Sequence, residues 1–416
     1  MAIVGAGISG MACAAALAKH DVRSVIFEAR DAPGGRVRSY RPADGGPAVE
    51  LGAQVIHGDR NPLLDLPGHG IPAAPSPRSR PLPRDAAAWA VLHGQVTSLA
   101  ALARGGMPPW AAEQRLTADR RGLPCDGPDG GDVPVAAWLR EQEVSGDHLL
   151  AAAEWFRQNW AAEPEVLSAG GVAAARRGDR CGDSEHAFDH GFTSLTEALA
   201  PACDIRLRAP VRSLTWTPGR AVVTVGDGAL ITARAAVITA PPPVVASGRL
   251  AITPWPAIKA AAAAALPSGD GLCAVVTLSR PVPRSAVVFD TDGDSGFVRA
   301  WAGRPEVLIV AKAGAAAAVR AADLAELTAR VLPGRPAGQV TSVRMADWGR
   351  DPWSGGVFSY PKVQTAWAGP AWAAPLRRTL FFAGEATTAG SLPPTVHGAL
   401  SSGLRAASEI VEAWGR

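Results

Sequence analysis

Short apolar runs separated by glycines open the chain. Ala2–Val4 predicts a strand, the glycine-rich residues 5–10 predict a turn, and Met11–His20 carries alanine and leucine at helical spacing. Arg23–Glu28 is a second apolar run with strand character. The order of these elements predicts a β-turn-α-β unit.

The next stretch, residues 61–187, is predicted to be a largely helical insertion. It is rich in Pro, Gly, Arg and Ala and has little strand pattern, while helical spacing is clear at Val135–Glu143 and His148–Asn159. Strands return at residues 204–239, and residues 246–374 mix further strands with an alanine-rich helix around Ala260–Ala265.

A final strand and a final helix, Thr395–Ala413, are predicted near the carboxyl end of the sequence. The strands predicted after residue 200 are Ile205–Leu207, Val211–Thr217, Ala221–Val225, Leu230–Ala233, Ala236–Thr239, Cys273–Leu278, Glu306–Ala311 and Thr379–Ala383.

Composition narrows the class of protein. The 416 residues are 47% hydrophobic and 19% charged, which is typical of a compact globular protein and excludes both a small binding module and a disordered chain. The 41 basic and 38 acidic residues are scattered and leave a net charge of only +3. A nucleic-acid partner is therefore not expected, and a small-molecule partner is.

Cysteine usage and hydropathy predict a cytoplasmic protein without a membrane span. The five cysteines are an odd number with no Cys-x-x-Cys pair, so neither a disulfide framework nor a zinc site is indicated. No run of 18 to 20 apolar residues is present, and the opening run lacks the basic leader of a signal peptide. The cysteines are Cys13, Cys125, Cys181, Cys203 and Cys273.

Three glycines in the first turn are spaced for dinucleotide binding. Gly5 permits the tight turn, Gly7 lets a pyrophosphate approach the backbone, and Gly10 lets helix and strand pack closely. Ser9 lies at the start of the helix, where N–H groups and the positive end of the dipole favour phosphate. Glu28, at the end of the second strand, is placed to accept from the ribose hydroxyls of an adenosine.

A second glycine pair follows this unit and indicates a larger cofactor than a nicotinamide. Arg30, Gly35 and Arg36 belong to the run Glu-Ala-Arg-Asp-Ala-Pro-Gly-Gly-Arg, which nicotinamide folds do not require. From here the sequence resembles the flavin-dependent amine oxidase superfamily, which includes monoamine oxidases, polyamine oxidases and lysine-specific histone demethylases. The resemblance continues through residues 50–58, 191–200, 348–360, 382–388 and 395–399.

The resemblance implies an α/β fold and a bound FAD. A Rossmann-like FAD-binding domain, residues 1–60, 188–245 and 375–416, is expected to be interleaved with an α+β substrate-binding domain, residues 61–187 and 246–374. In such proteins the matching segments lie along the isoalloxazine ring, against the adenine, near the ribityl chain and beneath the flavin. The residues so implied are Gly52, Ala53, Gln54, Val55, Val211, Trp348, Gly384, Glu385, Thr395 and Val396.

The sequence departs from the superfamily pattern at positions that affect flavin attachment, amine binding and reoxidation of the flavin. Val357 follows the Gly-Gly pair where monoamine oxidases have the cysteine that tethers flavin, so the FAD is expected to be noncovalent. Phe358 and Thr395 stand where two tyrosines form the amine cage. The lysine that assists oxidation of reduced flavin by oxygen corresponds to Cys273 in the best frame, or to Lys259 if the frame is offset.

Two further residues have alternative interpretations. His57 either lies near the flavin ring and contacts substrate or is a hydrogen-bonded loop histidine beneath the cofactor. Trp348 either packs near the flavin or is a core tryptophan. No ligand spacing supports a metal site.

Three functions compete. The first is an amine oxidase that transfers a hydride from the carbon bearing a neutral amine nitrogen to flavin N5, with O2 reduced to H2O2. The second is an FAD-dependent L-amino-acid oxidase, with Arg344 or Arg299 binding the substrate carboxylate, or a desaturase of specialised metabolism. The third is a flavin-bearing scaffold that binds a partner.

Overall fold

The computed structural model describes residues 1–43, 45–71, 76–82, 87–103, 108–119, 131–226, 228–333 and 338–415. Cys125 lies outside these ranges, and the other four cysteines are free thiols. Among the described residues, no helix combines the length and the apolarity needed to cross a bilayer.

A five-stranded parallel sheet lies at the base of the fold. Its central strand, Ala2–Val4, pairs with Val25–Phe27 on one side and with Ala236–Ile238 on the other, so the predicted β-turn-α-β unit is present. The strands are short, and four of the five are almost entirely buried, as expected for parallel strands covered on both faces. The edge strand Asp204–Arg206 is largely exposed. In spatial order they are Asp204–Arg206, Val25–Phe27, Ala2–Val4, Ala236–Ile238 and Leu380–Phe382.

The first and last helices cover one face of this sheet. The first helix, Ile8–Ala18, starts three residues earlier than predicted because Gly7 is already its N-cap. The last helix, Val396–Trp414, begins at the N-cap Thr395, whose hydroxyl accepts from the Gly398 N–H at 3.2 Å. The two helices touch where a Cβ on Gly403 would overlap the Ser9 carbonyl oxygen. This contact joins the two ends of the sequence.

A seven-stranded sheet forms a second layer and corrects one expectation. Residues 61–187 were expected to be largely helical, yet the hairpin Ala87–Leu92 and Gln95–Ser98 joins this sheet, parallel to Ala286–Asp290. All six residues of Ala87–Leu92 are apolar, so the strand lacks the polar-apolar alternation that reveals strands in a sequence. The sheet order is Val340–Asp347, Gly271–Leu278, Glu306–Lys312, Phe297–Ala300, Ala286–Asp290, Ala87–Leu92 and Gln95–Ser98.

Smaller sheets and helices complete the fold. A four-stranded sheet has the order Ala229–Ala233, Arg220–Val225, Val211–Thr217, Ala251–Thr253. A two-stranded sheet pairs Ser39–Tyr40 with Val49–Glu50. A three-stranded sheet has the order Ile56–His57, Glu185–Phe188, Ser79–Pro81. The other α-helices are Leu99–Ala103, Pro109–Asp119, Val135–Glu141, Gly146–Trp160, Ala169–Gly178, Thr193–Leu199, Pro242–Ala246, Ala257–Ala265, Gly314–Ala321, Leu324–Val331 and Ala368–Ala373. Short 3-10 helices occur at Pro62–Leu64, Ala200–Ala202 and Glu385–Thr388.

Candidate active site

A long cleft is lined by residues that follow the strands of the parallel sheet and by residues of the seven-stranded sheet. It contains about 2080 Å³ of atom-free space, including space open to solvent. Gly5, Glu28, Thr239 and Gly384 each follow a parallel strand and line this cleft. The carboxyl ends of parallel strands share one edge of the sheet, which is where such folds bind ligands.

The glycine turn leaves space for a phosphate. Gly5 has a φ of +103°, and an added Cβ would lie 2.7 Å from the Thr239 hydroxyl oxygen. A Cβ on Gly10 would overlap the Gly5 carbonyl oxygen, so Gly10 serves helix-strand packing. At Gly7 an added Cβ would meet nothing within 4 Å, and no side chain caps the first helix there. This open space at an uncapped helix N-terminus fits the pyrophosphate of a dinucleotide.

Glu28 lines the cleft beside the glycine turn. Its side chain is 3% exposed, and its two oxygens accept from the Ala6 N–H at 2.8 Å and the Arg30 N–H at 2.9 Å. Each oxygen retains a lone pair for a ribose hydroxyl. The guanidinium of Arg30 donates to both carboxylate oxygens of Asp351, at 2.8 and 3.3 Å, so its position is fixed by contacts within the protein. Val211 lines the cleft beside this group.

Glu385 has protein partners that the sequence did not reveal. It is 6% exposed and accepts from Arg36 Nη1 at 3.0 Å, from the Ser359 N–H at 3.1 Å and from the Ser359 hydroxyl at 2.6 Å. Arg36 also donates to the Val357 carbonyl at 3.3 Å. Glu385 therefore clamps Arg36 and the 357–359 segment against the cleft wall, and Gly35 lies beside them.

Residues Gly52 to Val55 form one wall of the middle of the cleft. Gln54 Nε2 donates to the carbonyls of Gly52 and Glu50 at 2.8 and 3.1 Å, which fixes the loop. Trp348 is 2% exposed, donates from Nε1 to the Leu51 carbonyl at 2.8 Å and still lines the cleft. Trp348 is thus a core residue and a cleft residue at once. Ala53, Phe358, Thr395 and Val396 line the cleft as well.

Cys273 faces this wall, whereas Lys259 lies elsewhere. The Cys273 sulfur is 3.5 Å from Gln54 Nε2, and burial raises the pKa of the thiol to about 12. Lys259 is 1% exposed and donates to the carbonyls of Trp372 and Ala374, away from the described cleft lining. Lys259, the alternative to Cys273, therefore does not line the described cleft. Its side chain is buried against Trp372 and Phe382 instead.

His57 and a second histidine meet at the cleft. His57 lines it, and burial lowers the pKa of its imidazole. The Asn61 amide oxygen accepts from the Leu63 N–H at 3.1 Å, which directs Asn61 Nδ2 to the His57 carbonyl at 2.8 Å and to His397 Nδ1 at 3.2 Å. His397 Nδ1 is consequently an acceptor, and its Nε2 carries the proton.

This tautomer gives Thr395 a defined role. His397 Nε2 lies 3.3 Å from the Thr395 hydroxyl oxygen, which also accepts from the Gly398 N–H. With both acceptor positions used, the hydroxyl hydrogen of Thr395 is free to donate into the cleft. Asp179, Cys181 and His397 also gather within 4.8 Å, a grouping the sequence did not predict. A protonated Nε2 does not ligate a cation, so we assign no metal to them.

The two arginines suggested by the sequence lie outside the described lining of the cleft, and two cations that the sequence did not suggest lie in it. Arg344 is exposed beside Tyr40, and Arg299 packs against Trp301; neither belongs to the described lining of the cleft. Arg176 and Lys312 do line it. The available signal for Lys312 was a single cation ending the apolar strand Glu306–Lys312, but nothing in the sequence placed Arg176 there.

Comparisons with known proteins agree with this architecture. The family described as flavin containing amine oxidoreductase matches residues 8–411. Lysine-specific histone demethylase 2 of Homo sapiens is 25% identical over 465 residues, covering 98% of this chain and 53% of that protein. Polyamine oxidase 4 of Oryza sativa subsp. japonica is 26% identical, covering 98% of this chain and 87% of that protein. The chain spans only 30% to 57% of the length of the histone demethylases it matches.

Solved structures share the whole fold. Cyclohexylamine oxidase from Brevibacterium oxydans IH-35A superimposes with a TM-score of 0.79 at 19% identity, covering 100% of this chain and 99% of that chain. Wild-type putrescine oxidase bound to putrescine gives a TM-score of 0.79 at 21% identity, covering 99% of this chain and 98% of that chain. The predicted α/β fold with a Rossmann-like FAD-binding part is confirmed.

Proposed function

The chain belongs to the flavin-containing amine oxidoreductase family. We propose that it is an FAD-dependent oxidoreductase that oxidises an amine by hydride transfer. The substrate would lose a hydride from the carbon beside a neutral amine nitrogen to give an iminium ion, which would release an N–H proton and become the imine. The hydride and one proton would together reduce O2 to H2O2. Bound FAD supplies the electron acceptor for this step. The observation that carries the proposal is the cleft that joins the glycine turn to the start of the last helix.

The protein's part in the reaction is to hold, orient and exclude water. The first helix and Glu28 would bind the pyrophosphate and a ribose, with Arg36 and Glu385 stabilising the neighbouring wall. The N-terminus of the last helix, at Val396, would favour negative charge that develops on the flavin ring. Burial lowers the pKa of His57, so this histidine would stay neutral and add no further positive charge to the cleft.

We propose that the FAD is bound noncovalently. Val357, not cysteine, follows Gly355 and Gly356, and it lines the cleft. Cys273 also lines the cleft, but with a pKa near 12 it is a neutral thiol and a poor nucleophile. With this thiol at the middle wall, reoxidation by O2 is expected to be slow.

An anaerobic reduction experiment tests the proposed reaction. The holoenzyme would be mixed with primary and secondary amines without oxygen, and flavin absorbance near 450 nm followed. At least one amine is expected to bleach the flavin, and admission of air should then restore it and release peroxide. If light reduces the flavin and air reoxidises it but no amine bleaches it, the protein is a flavin-bearing scaffold and the proposal fails.

A further inference from the structure

One part of the cleft, here called the distal end, carries more positive than negative charge. Among the described residues its lining includes Asn159, Trp160, Arg176, Asp179 and Lys312. These charges act together on His57, since Arg176 and Lys312 lower the pKa of its imidazole further while Asp179 and Glu185 raise it. Two cations therefore face one lining carboxylate in this space.

Lys312 is a partly buried cation without an acidic partner among the described residues. Its ammonium donates to the Gln158 carbonyl and lies 5.5 Å from the centre of the Phe358 ring. No carboxylate of the described residues forms a salt bridge with it. Burial lowers the pKa of Lys312 to about 8. A desolvated ammonium of this kind is stabilised when an anion binds beside it.

The side chain of Arg176 is held in place by contacts that leave its two terminal nitrogens without a hydrogen bond to the described residues. Its Nε donates to Glu113 Oε1 at 2.8 Å, and its guanidinium stacks over Trp160 at 5.4 Å. Glu113 is itself fixed by the indole N–H groups of Trp155 and Trp160, at 3.1 and 2.7 Å. Within the described part of the chain, neither terminal nitrogen of Arg176 donates a hydrogen bond to the protein. Such a preoriented fork suits a carboxylate.

We propose that Arg176 and Lys312 bind a carboxylate on the substrate, so that the oxidised compound is an amino acid in the broad sense and not a diamine or polyamine. The amine part of this statement rests on the proposed function; the anion site does not. Asp179 is the remaining charged group at the distal end, and its Oδ1 accepts from the Cys181 N–H at 3.0 Å.

Binding of unreactive probes tests the anion site alone. Benzoate and benzyltrimethylammonium would be titrated into the holoenzyme by calorimetry. Neither probe can be oxidised as an amine, because benzoate has no nitrogen and the nitrogen of benzyltrimethylammonium has no lone pair. Benzoate is expected to bind at least about tenfold more tightly than the cation, and Arg176→Gln or Lys312→Met should each weaken benzoate about tenfold or more. Arg176→Lys keeps the charge beside Glu113 and should lose less affinity.

Two control variants and a pH series sharpen this test. Arg177→Gln and Lys19→Met remove neighbouring or exposed cations outside the described cleft lining and should leave benzoate affinity unchanged. Benzoate affinity should fall as the pH rises past about 8 in the wild type, and this fall should be absent in Lys312→Met. Equal binding of both probes, or benzoate binding indifferent to both site variants, overturns the anion site. If Arg176→Gln unfolds, Lys312→Met decides alone.

Matched substrates then test the substrate class. Phenylalanine and phenethylamine differ only by a carboxylate, and so do 5-aminopentanoate and butylamine. Putrescine is butylamine with a second cation. The carboxylate member of at least one pair should reduce the flavin at a concentration about tenfold lower than its partner, and Arg176→Lys should narrow that gap. Preference for putrescine overturns the inference while leaving amine oxidation standing. Failure of every amine, with benzoate still bound through Arg176, overturns the proposed function instead.

Discussion

Gly7→Ala separates cofactor binding from folding. Gly7 has φ −69° and ψ 171°, an extended conformation open to any residue, and an added Cβ meets nothing within 4 Å. The apoprotein should therefore keep its stability to within about 0.5 kcal/mol. The methyl group, however, enters the open space beside the first helix, where the pyrophosphate of FAD would lie.

The expected loss of affinity can be worked out. Displacing the pyrophosphate from two backbone N–H groups removes two charge-assisted hydrogen bonds of about 1.5 kcal/mol each, which is about 3 kcal/mol or roughly 100-fold in the dissociation constant. At an FAD concentration about 100 times the wild-type dissociation constant, FAD stabilises the wild type by about 2.7 kcal/mol. The variant at the same concentration should gain only about 0.4 kcal/mol.

Urea unfolding with and without FAD measures both quantities. Gly10→Ala is the matched control, because its Cβ overlaps the Gly5 carbonyl oxygen and should destabilise the apoprotein itself by about 1–3 kcal/mol. The reasoning is refuted if Gly7→Ala gains the full stabilisation from FAD. It is equally refuted if the Gly7→Ala apoprotein is as unstable as Gly10→Ala.

Three further predictions concern buried groups. Glu385→Gln should lower the free energy of unfolding by about 2 kcal/mol or more, because Arg36 loses its charged partner. The control Glu412→Gln changes an exposed residue and should leave the free energy of unfolding unchanged. Chemical denaturation measures both variants. Burial raises the pKa of the Glu50 carboxyl from 4.5 to about 7. Between these pH values the unfolded chain loses this proton and the folded chain keeps it, so the free energy of unfolding falls by about 3 kcal/mol as the pH rises. Urea unfolding at a series of pH values should show this fall in the wild type and not in Glu50→Gln. With a pKa near 12, Cys273 should resist a disulfide reagent at pH 8 in the native protein and react on unfolding, as read by peptide mass spectrometry; rapid native modification would contradict its burial.

Local patterns predicted local structure well. The strand Val211–Thr217 has the predicted bounds, and the first and last helices differ from prediction only where capping residues set their ends. The hairpin of Ala87–Leu92 with Gln95–Ser98 was not predicted, because the first strand is apolar at every position and the second is only four residues long. The domain boundaries stay a prediction.

The cofactor motifs were visible because their residues are close in the sequence, whereas the distal end is assembled from distant segments. Arg176 lies on a helix of the insertion and Lys312 on a strand of the second sheet, and only the fold brings both to one cleft. The same holds for the Asn61–His397–Thr395 hydrogen bonds, since Asn61 precedes the other two by most of the chain. Spacing alone could not indicate either arrangement.

The central claim is that the glycine turn after the first strand and the start of the last helix hold one FAD. The most direct measurement is the flavin content of the purified protein, reconstituted with FAD where necessary, before and after acid precipitation. The account predicts one FAD per chain with a flavin absorbance spectrum, released entirely into the supernatant on precipitation. Protein that binds no flavin after reconstitution would contradict it, and flavin remaining in the pellet would contradict noncovalent binding.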